Sequence, residues 1–276
     1  MATLDARACR AGARVVGRLV AAVLSVAAAV VVAVVAVPAA AQAPEGHGIS
    51  GYWSLSFGAT PPRRPPTPTE AALLEYLPED AVLLADAGAA EFEPGDYGGL
   101  AVHEHLREAA REYDPSAQTD VSLTCRPPGL IYSMQGPFPI EIFEGRDLIV
   151  IKLEYFDLVR IIFMNQDHHP EDWPHSQTGH SIGRWEDDML VVDTARLTAG
   201  TLFNNGVDYT EDVRLVERFR LADPDTLVVI QQFEDPGSFT GTAARVLSFQ
   251  RGNDHVYPYD CDPTYGIAIE SREGPG

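Results

Sequence analysis

From Cys125 onward the chain is written in short apolar runs: "GLIYSM", "FPIEIF", "DLIVIKLEY", "LVRIIFMN", "SIGRWE", "MLVVDTA", "VRLVERFRL", "TLVVIQQFE" and "AARVLSFQ". Clusters of Gly, Pro, Asp and Asn separate them, and no helical period of useful length interrupts the series. A strand row leaves its two edges unpaired unless the row closes or curls. Many sequential strands with short connections therefore favour an antiparallel meander forming a barrel or strongly curved sheet. The expected fold class is mainly β, with two short helices ahead of the strands.

The region before Cys125 reads in three parts. Arg7, Arg10, Arg14 and Arg18 precede an apolar run from Leu19 to Val37, then Pro38 and a run of alanines. This is the pattern of a secretory signal peptide over 1–41, with Ala39-Ala40-Ala41 as the small-residue cleavage site and Gln42 as the first mature residue. An uncleaved membrane anchor is the alternative, because this 19-residue run, apolar but for Ser25, reaches across a bilayer. Residues 42–68 form an extended segment ending in the stiff "TPPRRPPTP". Residues 69–124 hold the helices: "TEAALLEYL" (69–77), capped by Thr69 and stopped by Pro78, and "LAVHEHLREAAREY" (100–113). His103 and His105 fall among the surface positions of the second. Residues 125–276 make the barrel-like domain.

Charge and cysteine content narrow the function. Without the four arginines and Asp5 of the leader, the formal charge moves from −20 to about −23. Nucleic acid and anionic lipid surfaces are poor partners for such a chain, and cleavage of the leader leaves no stable membrane insertion. Cys9 leaves with the leader, so Cys125 and Cys261 remain in a periplasmic or secreted protein. A disulfide between them closes a loop of about 136 residues, worth ~4 kcal/mol in the chain-entropy model. Two separate buried thiols are the alternative.

Strand parity places polar side chains. In "VRLVERFRL", Val213, Leu215, Glu217, Phe219 and Leu221 share one face, so Glu217 stands in an apolar row and must be paired, hydrogen-bonded or protonated. In "LVRIIFM", Arg160 aligns with Leu158, Ile162 and Met164 and is the natural partner of Glu217, either in a ligand site or as a structural ion pair. If Asp187-Asp188 is a hairpin turn, Trp185 faces Leu190 and Gly183 faces Val192 on a core face, with Gly183 leaving room for the indole. His180, Ile182, Arg184, Glu186, Met189, Val191 and Asp193 then share the other face, toward solvent or a polar cavity.

The stretch "HHPEDWPHSQTGH" (168–180) is rich in histidine, but Pro170 and Pro174 keep it out of a helix and its spacings match no metal motif. A loop gathering His169, Asp172, His175 and His180 around Zn²⁺ is the metal alternative; the expectation is no metal and no cofactor. No G-x-S-x-G and no glycine-rich phosphate loop occur.

At "GHSIGRWEDDMLVVDT" (179–194) the sequence resembles a large uncharacterised family of exported bacterial proteins, whose usual run is G-H-S-I-G-x-W-E-G-D-T-L-V-V-D-T. The resemblance spans roughly 110–262 through "REYDP", Cys125 with "RPPG", "VRIIFM", "HPED", "VERFR", "DTLVV" and Asp235-Pro236. His169, Asp172, His180, Glu211, Glu217 and Arg218 match the family. Asp187 stands where it usually has Gly, Met189 where it has Thr, and Tyr209-Thr210-Glu211 where it has H-S-E. Gly51-Tyr52-Trp53 is similar to the G-x-W opening of lipocalin-type barrels.

These readings converge on an exported protein that binds a small, partly apolar molecule in a barrel cavity. Arg160, Glu211, Trp185, Glu186 and Arg218 are the expected ligand-binding residues, and Glu217, His169, His180 and Asp172 the candidates for acid–base work. A cofactor-independent isomerase, cyclase or lyase using the same groups is the enzyme alternative. An envelope scaffold with no pocket is the third.

Overall fold

The structure, a computed structural model, describes residues 46–56, 60–87, 91–113 and 125–262. The expected leader and its cleavage site lie outside the described residues. In chain order the elements are β1 (Gly51–Leu55), α1 (Pro68–Leu74), β2 (Val82–Leu83), β3 (Ala101–Val102), α2 (Glu104–Ala110) and α3 (Leu130–Ser133). There follow β4 (Ile140–Glu144), β5 (Leu148–Leu153), a 3₁₀ turn (Tyr155–Asp157), β6 (Leu158–Phe163), β7 (His180–Glu186), β8 (Met189–Ala195), β9 (Gly200–Phe203), β10 (Val207–Tyr209), β11 (Arg214–Asp223), β12 (Thr226–Glu234), β13 (Phe239–Thr240) and β14 (Ala243–Gly252).

Nine strands close a barrel in the order β1-β4-β5-β6-β7-β8-β11-β12-β14, with β14 pairing back onto β1. The closing strand is the "GYW" segment, so the barrel draws on residues well before Cys125. Trp53 is fully buried there; its Nε1 donates to Ile49 O at 2.8 Å and the Arg251 guanidinium from β14 covers its ring at 4.1 Å. The indole thus adds a side-chain contact to the backbone pairing that closes the sheet.

The meander is antiparallel around the ring except at β6–β7, which run parallel with Ile162 opposite Ser181. A parallel neighbour needs a connection long enough to carry the chain back along the sheet. Residues 164–179, the histidine-rich loop, are that return. The Asp187-Asp188 hairpin has the expected register, Trp185 opposite Leu190 and Gly183 opposite Val192. Asp187 sits at φ 54°, the left-handed conformation that suits a glycine at this turn. The room beside Gly183 serves a different neighbour than expected: a Cβ there would lie 2.6 Å from both Ile162 Cγ2 and Met164 Sδ, not against the indole.

Both early helices form, with shifted limits. The cap of α1 is Thr67, not Thr69: Thr67 accepts from Glu70 N, Glu70 reaches back to Thr67 N, and Pro68 occupies the first turn. Leu73 of α1 covers Met189, Val191, Val228, Ile230 and Val246 on the outside of the barrel. Each fully buried aliphatic side chain of this kind contributes about 1.5–3 kcal/mol. The second helix starts only at Glu104, because Ala101–Val102 pair with β13 instead. "GLIYSM" is a helix, not a strand. Gly129, at φ 93°, turns the chain into α3 while pressed so close to Tyr209 that a Cβ would meet its hydroxyl.

Inward-facing Leu158, Ile162, Leu190, Val192, Leu215, Phe219, Leu247 and Phe249 form one core with Leu130, Ile131, Leu202, Phe203 and Tyr209 from the segments around α3, β9 and β10. The Cys125–Cys261 disulfide is formed, with Cα atoms 5.7 Å apart, and ties the entry to this segment to the C-terminal tail. Among the described residues no helix is long and apolar enough to cross a membrane.

Candidate functional site

Strand alternation turns one side chain in two inward, and on six adjacent strands one of those is polar: Arg160 (β6), Ser181 (β7), Thr194 (β8), Glu217 (β11), Gln231 (β12) and Arg245 (β14). Arg160 Nη1 lies 2.5 Å from Glu217 Oε2. Its Nε donates to Ser181 Oγ at 3.0 Å and its Nη2 to Thr194 Oγ1 at 2.7 Å, and Gln231 Nε2 donates to Glu217 Oε1 at 3.1 Å. All six residues are 0% exposed. The expected Arg160–Glu217 pair is therefore present, with both side chains closed off from solvent. Arg245 is held the same way, by Asp86 (2.8 and 2.6 Å), by Leu202 O and by the rings of Phe203 and Phe233. A charged side chain taken out of water needs an opposite charge and hydrogen bonds close by, and both pairs have them. This band is the barrel's internal girder.

The remaining expected site residues lie elsewhere. His169 and His180 do meet, with their Nδ1 atoms 2.8 Å apart, and His180 is packed between Phe163 and Trp173. Burial first, and His169 second, push the His180 pKa down. These rings fasten the 164–179 return to β7 on the outer face, where His169 Nε2 stands 3.5 Å from Asp193. Asp172 is exposed, and His175 turns instead to Glu211, 3.7 Å away. His169, Asp172, His175 and His180 are thus not gathered, and among the described residues no group of three or more such ligands is placed to hold a metal. Trp185 is half-buried and stacks on His47 at 3.6 Å. Glu186 pairs with Arg184 on the surface, and Arg218, outside the barrel, donates to Gln232 and covers the Tyr76 ring.

A cavity of about 290 Å³ opens instead between α3, the turn that follows it, the 3₁₀ turn and the C-terminal tail. Tyr132, Phe138, Tyr155 and Tyr259 wall it, with Glu91 and Gln135 as its polar groups. The rings support one another: Phe138 stacks on Tyr155 at 4.8 Å, and Tyr259 meets both edge-on at 5.2 and 5.6 Å. Tyr259 is placed by its own backbone, whose N–H donates to Asp157 Oδ1 at 2.9 Å, and by the disulfide two residues on. The Tyr132 hydroxyl donates to Glu91 Oε1 at 2.5 Å. Burial pushes the Glu91 carboxyl up, against the stabilising hydroxyl, and burial also raises Tyr132. Gln135 is 3% exposed, and its Oε1 has no hydrogen-bond partner among the described residues.

Sequence reasoning passed over this site because it is assembled from four distant segments, one of them the "GLIYSM" run read as a strand. The available signal was the density of aromatic residues in "YSMQGPF", "EYF" and "YPY" beside turns. No family model matches this chain, nor does any curated protein or solved structure.

Proposed function

We propose that the protein is exported and binds a small, partly apolar molecule in the aromatic cavity at the end of its barrel. The observation that carries this reading is the cavity itself, walled by Tyr132, Phe138, Tyr155 and Tyr259 and floored by a buried amide oxygen without a partner. Small-molecule sites are concave and largely apolar, with a few polar groups that fix orientation, and this cavity is near the lower end of their size range. Polar atoms buried in a native protein are nearly always paired, so Gln135 Oε1 is an acceptor suited to a ligand donor. The Arg-rich, apolar N-terminal run and the disulfide support export.

Relative to the sequence expectation, the ligand moves from the lumen beside Glu217 to the barrel end. Small-molecule mass spectrometry of protein purified from its native host tests the proposal. One compound carried at near-stoichiometric level by wild-type protein, and lost from Tyr259→Ala, is the expected result. Protein that carries nothing, or carries the compound equally after that substitution, would overturn it.

A further inference from the structure

Resting on the cavity reading above, we infer that the ligand carries a primary ammonium group, received by Glu91 and Gln135, with its apolar part between the rings of Phe138, Tyr155 and Tyr259. The polar inventory of the cavity is one-sided. Glu91 is the one charged side chain among the described lining residues, which include no Lys or Arg. Arg245, whose charge acts on Glu91, is already matched by Asp86 through two hydrogen bonds. The group of three therefore holds one carboxylate in excess.

The hydrogen-bonding supply is equally lopsided. A carboxylate accepts only, and Gln135 Oε1 is a buried acceptor without a donor. The Tyr132 hydroxyl already spends its proton on Glu91. A ligand that brings donors and positive charge satisfies both groups; one that brings a carboxylate or phosphate would face the carboxylate unaided. The aromatic wall favours the same choice, since ring faces attract a desolvated cation. The strongly acidic chain, formal charge −20, also raises the local concentration of cations at the cavity mouth. A cavity of about 290 Å³ admits a free amine of modest size rather than a folded segment.

Calorimetric titration of the intact, disulfide-bonded protein with benzylamine and with benzyl alcohol is the test, because the two share ring and length and differ in charge. Benzylamine is expected to bind about tenfold tighter or more. Glu91→Gln should erase most of that difference, and Tyr259→Ala should weaken both. Lowering the pH should weaken benzylamine alone as Glu91 takes up a proton; the groups facing Glu91 are the Tyr132 hydroxyl, Asp86 and Arg245. Equal binding of the two probes would overturn the ammonium reading and leave the cavity reading standing. Binding of benzylamine untouched by both substitutions would place it elsewhere and also overturn it. If neither probe binds, the ammonium reading falls; the cavity reading falls with it only where native-source protein also carries no small molecule. Sedimentation with phosphatidylethanolamine vesicles, reversed by benzylamine, would assign the site to a lipid head and overturn the free amine.

Discussion

Arg160→Met is the perturbation that best measures what the internal polar band does. The substitution keeps an unbranched apolar stem that ends about where the guanidinium begins, and it removes the charge that faces Glu217 at 2.5 Å. Ser181 and Thr194 lose their shared donor yet keep each other, at 2.9 Å. Glu217 is left 0% exposed with only the amide of Gln231. An uncompensated buried charge of this kind costs about 3–5 kcal/mol. For a domain of this size each kcal/mol lowers the melting temperature by roughly 2–4 °C, so the variant should melt roughly 6–20 °C below wild type. Glu217→Gln should cost a comparable amount by stranding Arg160. The double variant Arg160→Met with Glu217→Gln removes both charges and should be more stable than either single one. Thermal unfolding followed by circular dichroism, with urea unfolding as a second measure, reads all four proteins. A single variant melting within 2 °C of wild type, or a double variant no more stable than the less stable single one, would refute the view that this pair is a closed structural element. Ligand loading should be unchanged in any of these variants that stays folded.

Three further outcomes follow from other parts of the molecule. Gly183→Ala drives a methyl into Ile162 and Met164 and should cost about 1–3 kcal/mol, read as a shift in the urea midpoint. Cys125→Ser with Cys261→Ser should cost ~4 kcal/mol and, by releasing the tail that carries Tyr259, should weaken ligand binding beyond what stability alone explains. The lowered His180 pKa has a definite sign: the unfolded chain takes up the proton near ~6.5 and the native one only below that, so stability present above ~6.5 is lost as pH falls toward the native His180 value. Urea midpoints between pH 8 and 5 should show this decline, and His180→Gln should flatten it; an identical profile in the variant would contradict the assignment.

The barrel was legible because its code is local. Alternation in "VRLVERFRL" and "LVRIIFM" put Glu217 and Arg160 on inward rows, and the barrel brings those rows together. Hairpin register followed from the Asp187-Asp188 turn in the same way. What parity could not say is how much space the lumen leaves: whether an inward Arg–Glu pair lines a cavity or closes one depends on Ser181, Thr194 and Gln231 filling the remainder. The parallel β6–β7 junction was hidden because a long loop does not announce the direction in which it returns. Gly129 and the Pro127-Pro128 pair were turn signals ahead of "GLIYSM", but a short apolar run suits helix and strand alike. The cavity residues Glu91, Tyr132, Tyr155 and Tyr259 come together only through tertiary folding and a cross-link between distant cysteines.

The central claim is that the binding site lies at the barrel end and not in the lumen. Amide chemical-shift mapping decides between them: isotope-labelled protein is titrated with the small-molecule extract released from native-source protein by denaturation. The account predicts perturbations concentrated at Tyr132, Gln135, Phe138, Tyr155 and Tyr259. Perturbations centred on Arg160, Ser181, Thr194 and Glu217, with the barrel-end signals unmoved, would contradict it.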